Sequence, residues 1–226
     1  LAGDSTTATS WQPAVVANKL RITSSVGGRG GAIYKSAFDT TKGLDVQFRF
    51  NFNTGSSIPG DGFTFFLANP SNPDLASAPA TRGSWLGGGG GYLAYNGDGA
   101  AGQLKGSLLG VGVVLNGSPQ VRIYGATGAN GVLPILSTAS IANPYNANYY
   151  IRVVIDPNTV SAATRGYRVY VSATTTFSTT PTASGLLSAI GLTDLSSGVY
   201  FGFTGATGAN TVNTDIDAIN VYGVLK

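Results

Sequence analysis

Cysteine, histidine, methionine and glutamate are all missing from this 226-residue chain, and every acid in it is an aspartate. Without cysteine there is no disulfide framework from which to read a redox compartment. Without histidine or cysteine the usual zinc and copper sites are excluded. So is nucleophilic machinery of the Ser-His-Asp or Cys-His kind. The metal chemistry left open is a hard-cation site of aspartate and carbonyl oxygens. A chain without methionine is expected to be a processed or excised piece, so the lack of a signal peptide carries no information. Charge is scarce as well, at 10% of residues with a net charge of +3. Arg21, Arg29, Arg49, Arg82, Arg122, Arg152 and Arg165 are scattered, whereas nucleic-acid binders gather their basic residues on a stripe or patch. No nucleic-acid partner is expected, and the pI near 9.2 reflects a shortage of titrating groups. No apolar run approaches the ~18 residues of a membrane span. One of the longest, 108–115, contains two glycines, so no membrane insertion is expected.

What the chain does contain is strand and turn. Its length suits one large all-β domain or two small ones. The 44–52 segment alternates, with Leu44, Val46, Phe48, Phe50 and Phe52 against Asp45, Gln47, Arg49 and Asn51. That is the pattern of a half-buried antiparallel strand with one wet face. Further strands are expected at 20–24, 32–38, 63–68, 92–95, 109–115, 121–124, 199–204 and 216–224. An antiparallel pair is expected at 149–156 and 167–173, and a helical turn within 183–190. The glycine run 27–31 reads as flexible and 69–91 as irregular. Many short strands with frequent turns and almost no helix predict an all-β antiparallel sandwich. No shift of composition marks an internal boundary, so one domain is expected over 1–226. Gly-Ala-Thr-Gly-Ala-Asn occurs at 125–130 and again at 205–210 without a fixed period, as two similar loops rather than a solenoid.

The most informative stretch is Pro59-Gly60-Asp61-Gly62-Phe63-Thr64-Phe65-Phe66-Leu67-Ala68-Asn69. It sets one carboxylate between two glycines at the mouth of a strand that is apolar on both faces. Such a strand lies deep in a sandwich, and binding groups tend to be mounted where buried scaffold meets a loop. The alternative is ordinary turn chemistry, since aspartate beside glycine is common in turns.

Four segments, in order, resemble the legume-type (L-type) lectins. Residues 60–68 look like the alanine-aspartate-glycine strand of that family, and Gly89-Gly90-Gly91-Tyr92-Leu93-Ala94 is similar to its glycine loop. Leu109 to Asn116 falls where the metal-loop strand lies, and 202–210 looks like the last binding loop. Bacterial surface proteins and adhesins carry domains of this kind. The resemblance implies a jelly-roll, concanavalin A-like sandwich with a shallow sugar dish at one end. It puts the hydroxyl-accepting carboxylate on Asp61 and a donating main-chain N–H on Gly91, with Tyr92 beside it, and further contacts on Ala209 and Asn210. The metal loop departs from the family. The metal-binding glutamate position is Val114, the first aspartate position is Asn116, and the asparagine shared by calcium and sugar falls on Gln120. Gly117-Ser118-Pro119 replaces the rest of the loop, and the stacking aromatic is missing near Ser118. No metal pair is expected; a single calcium on Asp61 and carbonyl oxygens stays open. Trp85, Tyr92, Tyr95 and Tyr124 are the candidates to supply a stacking face.

The expected function is a carbohydrate-binding, adhesive module of a secreted, cell-surface or virion protein, with a glycan or glycoconjugate as partner. The alternative is a structural subunit of a pilus, filament, capsid or tail that keeps the sandwich without a working sugar site and associates with itself. No enzyme is expected. Glycoside hydrolysis needs a carboxylate pair, and the one close pair, Asp215 and Asp217, stands alone near the last strand.

Overall fold

The computed structural model describes residues 2–5, 13–24, 27–53, 60–76, 85–97, 103–126, 132–157 and 165–226. Two seven-stranded antiparallel sheets lie face to face. The first runs β1 (Ala2–Ser5), β4 (Gly28–Phe38), β13 (Val199–Ala206), β6 (Gly62–Ala68), β7 (Ser107–Val114), β8 (Gln120–Tyr124), β9 (Ile135–Ser140). The second runs β12 (Ala183–Leu186), β11 (Gly166–Ser172), β10 (Asn148–Asp156), β5 (Leu44–Asn53), β14 (Asn213–Gly223), β3 (Lys19–Thr23), β2 (Ala14–Val16). The expected sandwich is therefore present, with 53% strand and 7% helix among the described residues.

Between the sheets the alternating apolar residues of β5 meet the inward face of β6 and β13. Phe48 lies 5.0 Å from Phe203 and 5.4 Å from Phe65, centroid to centroid, and Phe50 lies 5.0 Å from Phe63. All seven residues of β6 are buried. Its other face, Phe66 and Ala68, is roofed by the 85–97 connection, whose Trp85, Leu86, Ala94 and Tyr95 form a second core with Tyr124. A strand apolar on both faces thus lies in the middle of its sheet, as its composition required.

The outward face of the second sheet is wet, and there the arginines find partners. Arg21–Asp215, Arg49–Asp217, Arg152–Asp45 and Arg168–Asp156 pair across strands at 2.7, 2.5, 2.7 and 2.8 Å. Residues scattered in sequence become a row because antiparallel register sets opposite charges side by side.

Three expectations fail. The glycines at 28–31 are not a flexible loop but the first part of β4. Two of them are small because both faces are crowded: a Cβ on Gly31 would lie 2.6 Å from the Trp85 ring of the roof, and one on Gly30 2.3 Å from the Ile22 carbonyl oxygen. Residues 92–95 are not a strand; a 3-10 turn at Gly90–Tyr92 runs into Leu93 and Ala94, both at positive φ. The helical turn at 183–190 is half right, with strand β12 first and a 3-10 turn at Leu187–Ile190 after it. The weakly patterned strands β1, β2 and β9 had no place in the sequence reading. Of the repeated hexapeptide, 127–130 lies outside the described residues.

Candidate functional site

One end of the first sheet gathers the residues singled out by sequence. Gly62 opens β6 and pairs with Ala206 at the end of β13 and with Val114 at the end of β7. Asp61 therefore stands between the loop that leaves β13 and the turn that leaves β7. Gly62 is held at φ +123, and a Cβ there would lie 1.9 Å from the Val113 carbonyl oxygen. Only glycine makes this corner, and the corner is what turns the Asp61 side chain out of the ladder.

The 85–97 connection brings the glycine turn to the same place. Leu93 is fully buried, and its side chain packs over Gly62 and Gly112. Leu93 and Ala94 sit at φ 60 and 55, a left-handed conformation that costs non-glycine residues roughly 1–2 kcal/mol each. The strain is held by that burial and by main-chain bonds from Gly87 to Ala94 and back from Ala94 to Gly88, both 2.8 Å. Arg29 on β4 fastens the turn further, donating to the Gly87 carbonyl at 2.8 Å. Among the described residues, a Cβ built on Gly90 or Gly91 would meet nothing within 4 Å except the Asp61 carboxylate oxygens, at 3.8 and 3.9 Å. The space in front of the carboxylate is therefore open on this side. As the first residues of a 3-10 turn, Gly90 and Gly91 have N–H groups that the turn itself does not use.

On the other side lies the loop after β13. A Cβ on Gly208 would fall 2.8 Å from Asp61 Oδ2, so the main chain at Gly208 lies against that carboxylate. Partial burial pushes the Asp61 carboxyl above the usual aspartate range, and the bonds from Gly208 and from its own N–H pull it part of the way back. Ala209 is exposed and Asn210 half-exposed at the rim.

Asp61, Gly91, Ala209 and Asn210 thus converge from distant parts of the chain. Tyr92 is 43% exposed beside Gly91, whereas Trp85, Tyr95 and Tyr124 are buried beneath the turn. The last three are therefore roof, not stacking faces. Asn116 stands exposed in the turn between β7 and β8. Gln120 lies on β8, and its side-chain oxygen accepts from Arg122 at 3.2 Å. Among the described residues neither is a partner of the Asp61 carboxylate. Sequence reading missed Gly62, Leu93, Arg29 and Gly208 as parts of the site. Gly208 lay inside a recognised loop, but nothing in its spacing marked an N–H that reaches Asp61.

The residues of the metal-loop region do not fit a bound metal pair. Val114 is buried in the ladder between Gly62 and Gln120. Among the described residues no three acids gather in one place. Asp215 and Asp217 are also engaged, by Arg21 and Arg49, on the far sheet.

No family model matches the chain, and no curated protein is similar in sequence. Solved structures are similar in fold. The metal-free form of lectin I-B4 from Griffonia simplicifolia superposes with a TM-score of 0.64 at 17% identity, over 93% of this chain and 89% of that one. The lectin from Bauhinia forficata, in complex with GalNAc, gives 0.64 at 17% identity over 93% and 90%. The carbohydrate recognition domain of Emp47p gives 0.63 at 16% identity over 94% and 86%. The chain has the L-type lectin fold.

Proposed function

We propose that this chain is a carbohydrate-binding module, one unit over 1–226, that takes a glycan through Asp61, Gly91 and the Ala209–Asn210 loop. The observation that carries the reading is a half-buried carboxylate facing open space between a glycine turn and a second loop. An ionised carboxylate accepts from sugar hydroxyls more strongly than a neutral acceptor. Gly91 lets main chain approach a ring closely, and exposed Tyr92 offers an apolar face at the rim. The chemistry is binding without bond cleavage, because the one close acid pair is committed to arginines elsewhere. Such a module belongs on a secreted, cell-surface or virion protein with an adhesive role. A shallow dish of this kind binds in the millimolar to micromolar range, roughly −4 to −8 kcal/mol. The test is a glycan array, followed by titration of the best hit with Asp61→Ala after its melting temperature has been matched to the parent. Unchanged affinity in the folded variant removes the reading.

A structural-subunit reading is favoured by a different observation. Tyr34, Ile219 and Leu225 are exposed and, with Phe38, Phe201 and Val221, line an apolar cleft of about 540 Å³ between β4 and β14. An array without hits, together with concentration-dependent assembly in sedimentation, selects that reading.

A further inference from the structure

The Asp61 site is tied together largely by main chain. Leu115 N–H donates to the Asp61 carbonyl at 2.9 Å, from the turn after β7. The main chain at Gly208 lies against the Asp61 carboxylate, with Oδ2 2.8 Å from the position of a Cβ there. The loop that carries Gly208 is itself fastened to the start of β4. Gly27 N–H donates to the Gly208 carbonyl at 2.9 Å, Thr207 N–H to the Gly28 carbonyl at 3.0 Å, and Gly28 N–H to the Thr207 hydroxyl at 3.1 Å. Gly60, just before Asp61, packs against the same loop, 3.0 Å from the Asn210 carbonyl oxygen at the position of a Cβ. Three other chain segments thus hold the segment of Asp61 in place, two of them against Asp61 itself. The candidate ligands of a metal pair point elsewhere, with Val114 buried and Gln120 bonded to Arg122.

We infer that Asp61 is set in its ligand-accepting orientation by the Leu115 and Gly208 N–H groups, with Gly208 as the positioning residue, so that the dish is complete without a metal ion. This deepens the proposed function and rests on it for the identity of the ligand, but the clamp can be tested without one. The elements around the site carry the ionisable groups Arg29 on β4, Tyr92 in the glycine turn and Arg122 on β8. Arg29 is directed to Gly87 and Arg122 to Gln120.

The experiment uses the whole chain stripped with chelator. Its melting curves with excess chelator, with calcium and with manganese are expected to superimpose. A rise of several degrees with either ion, the size that tight binding to the native state gives, overturns the inference. In amide-resolved NMR of the stripped chain, Gly208 and Leu115 N–H are expected to be protected from exchange. The Gly208 amide shift is expected to titrate with Asp61 and to stop titrating in Asp61→Asn. Free exchange of both amides, or a Gly208 shift indifferent to Asp61, overturns it. Manganese that broadens Asp61 and Gly208 selectively does the same. Gly208→Ala keeps the N–H but sets a Cβ 2.8 Å from Asp61 Oδ2, and by displacing the carboxylate is expected to weaken the best array glycan by at least about tenfold. The NMR titration of the parent chain decides the point should that variant not fold. Glycan binding that disappears on chelation overturns the inference and leaves the proposed function standing. An array with no hits overturns the proposed function and leaves the clamp to the melts and the amides.

Discussion

Asp61 works against the stability of the fold that displays it. Its carboxyl is raised by burial, so its favourable contribution is complete at low pH and is lost as pH rises through the raised value. Binding runs the opposite way, because only the ionised form accepts from two hydroxyls. Glycan affinity should therefore begin to fall on acidification at a pH above that at which a solvated aspartate protonates. Over the same range the melting temperature contribution of this residue should improve. Asp61→Asn separates the two. At neutral pH its melting temperature should equal or exceed that of the parent, while affinity drops by about 2 kcal/mol or more, the worth of a hydrogen bond to a charged acceptor. Calorimetric titration and thermal melts at neutral and acidic pH check both signs. Gly91→Val makes the complementary point. Among the described residues a Cβ at 91 meets only the Asp61 oxygen, at 3.9 Å, so the variant should melt with the parent and still bind at least about tenfold more weakly, because a side chain then fills the approach to the Gly91 N–H.

At the scale of elements, β6 and its corner carry the site. Gly62→Ala would drive a Cβ to 1.9 Å from the Val113 carbonyl oxygen at a φ of +123, and no neighbouring side chain can give way to relieve a main-chain clash. The expected outcome is a chain that fails to reach a cooperative melt, read by calorimetry. On the opposite sheet, the carboxylate of Asp215 is 3% exposed and held by Arg21 at 2.7 and 2.9 Å and by Asn53 at 3.1 Å. Removing Arg21 leaves that charge buried without its partner. Arg21→Met should cost about 2 kcal/mol, below the 3–5 kcal/mol of a fully buried pair because Arg21 itself is partly wet. Removing both partners should cost less than the two single changes summed. Urea denaturation of the four chains in the cycle measures the coupling.

Over the whole molecule, the contacts that matter are far apart in sequence. β4 pairs with β13 and β5 pairs with β14, so neither sheet closes until the end of the chain arrives. Non-local pairing of this kind makes folding slow. Refolding from denaturant should fall in roughly the millisecond-to-second range or beyond, far from the microseconds of helical bundles. Stopped-flow fluorescence of Trp85, which is buried in the roof, reads the last step.

The period-two pattern of β5 and the unbroken apolar run of β6 determined that two sheets would sandwich a core, since each strand can bury its residues in only one way. The missing histidine and cysteine excluded the usual zinc and copper sites and His-based nucleophilic machinery before any geometry was known. The order of four motifs identified which loops would meet. What the sequence left open depended on contacts between segments far apart. The glycines of β4 read as a loop because their composition carries no partner, and the Trp85 roof that requires glycine at 31 lies more than fifty residues away. Residues 92–95 read as a strand because aromatic and aliphatic side chains suit one; burial of Leu93 over Gly62 and Gly112 overrode that local preference. The four candidate stacking rings were equivalent in sequence, and only packing decided that three support the turn while Tyr92 faces out. The hold of Gly208 on Asp61 was likewise a tertiary decision, because a main-chain N–H is common to almost every residue and only the fold aims it.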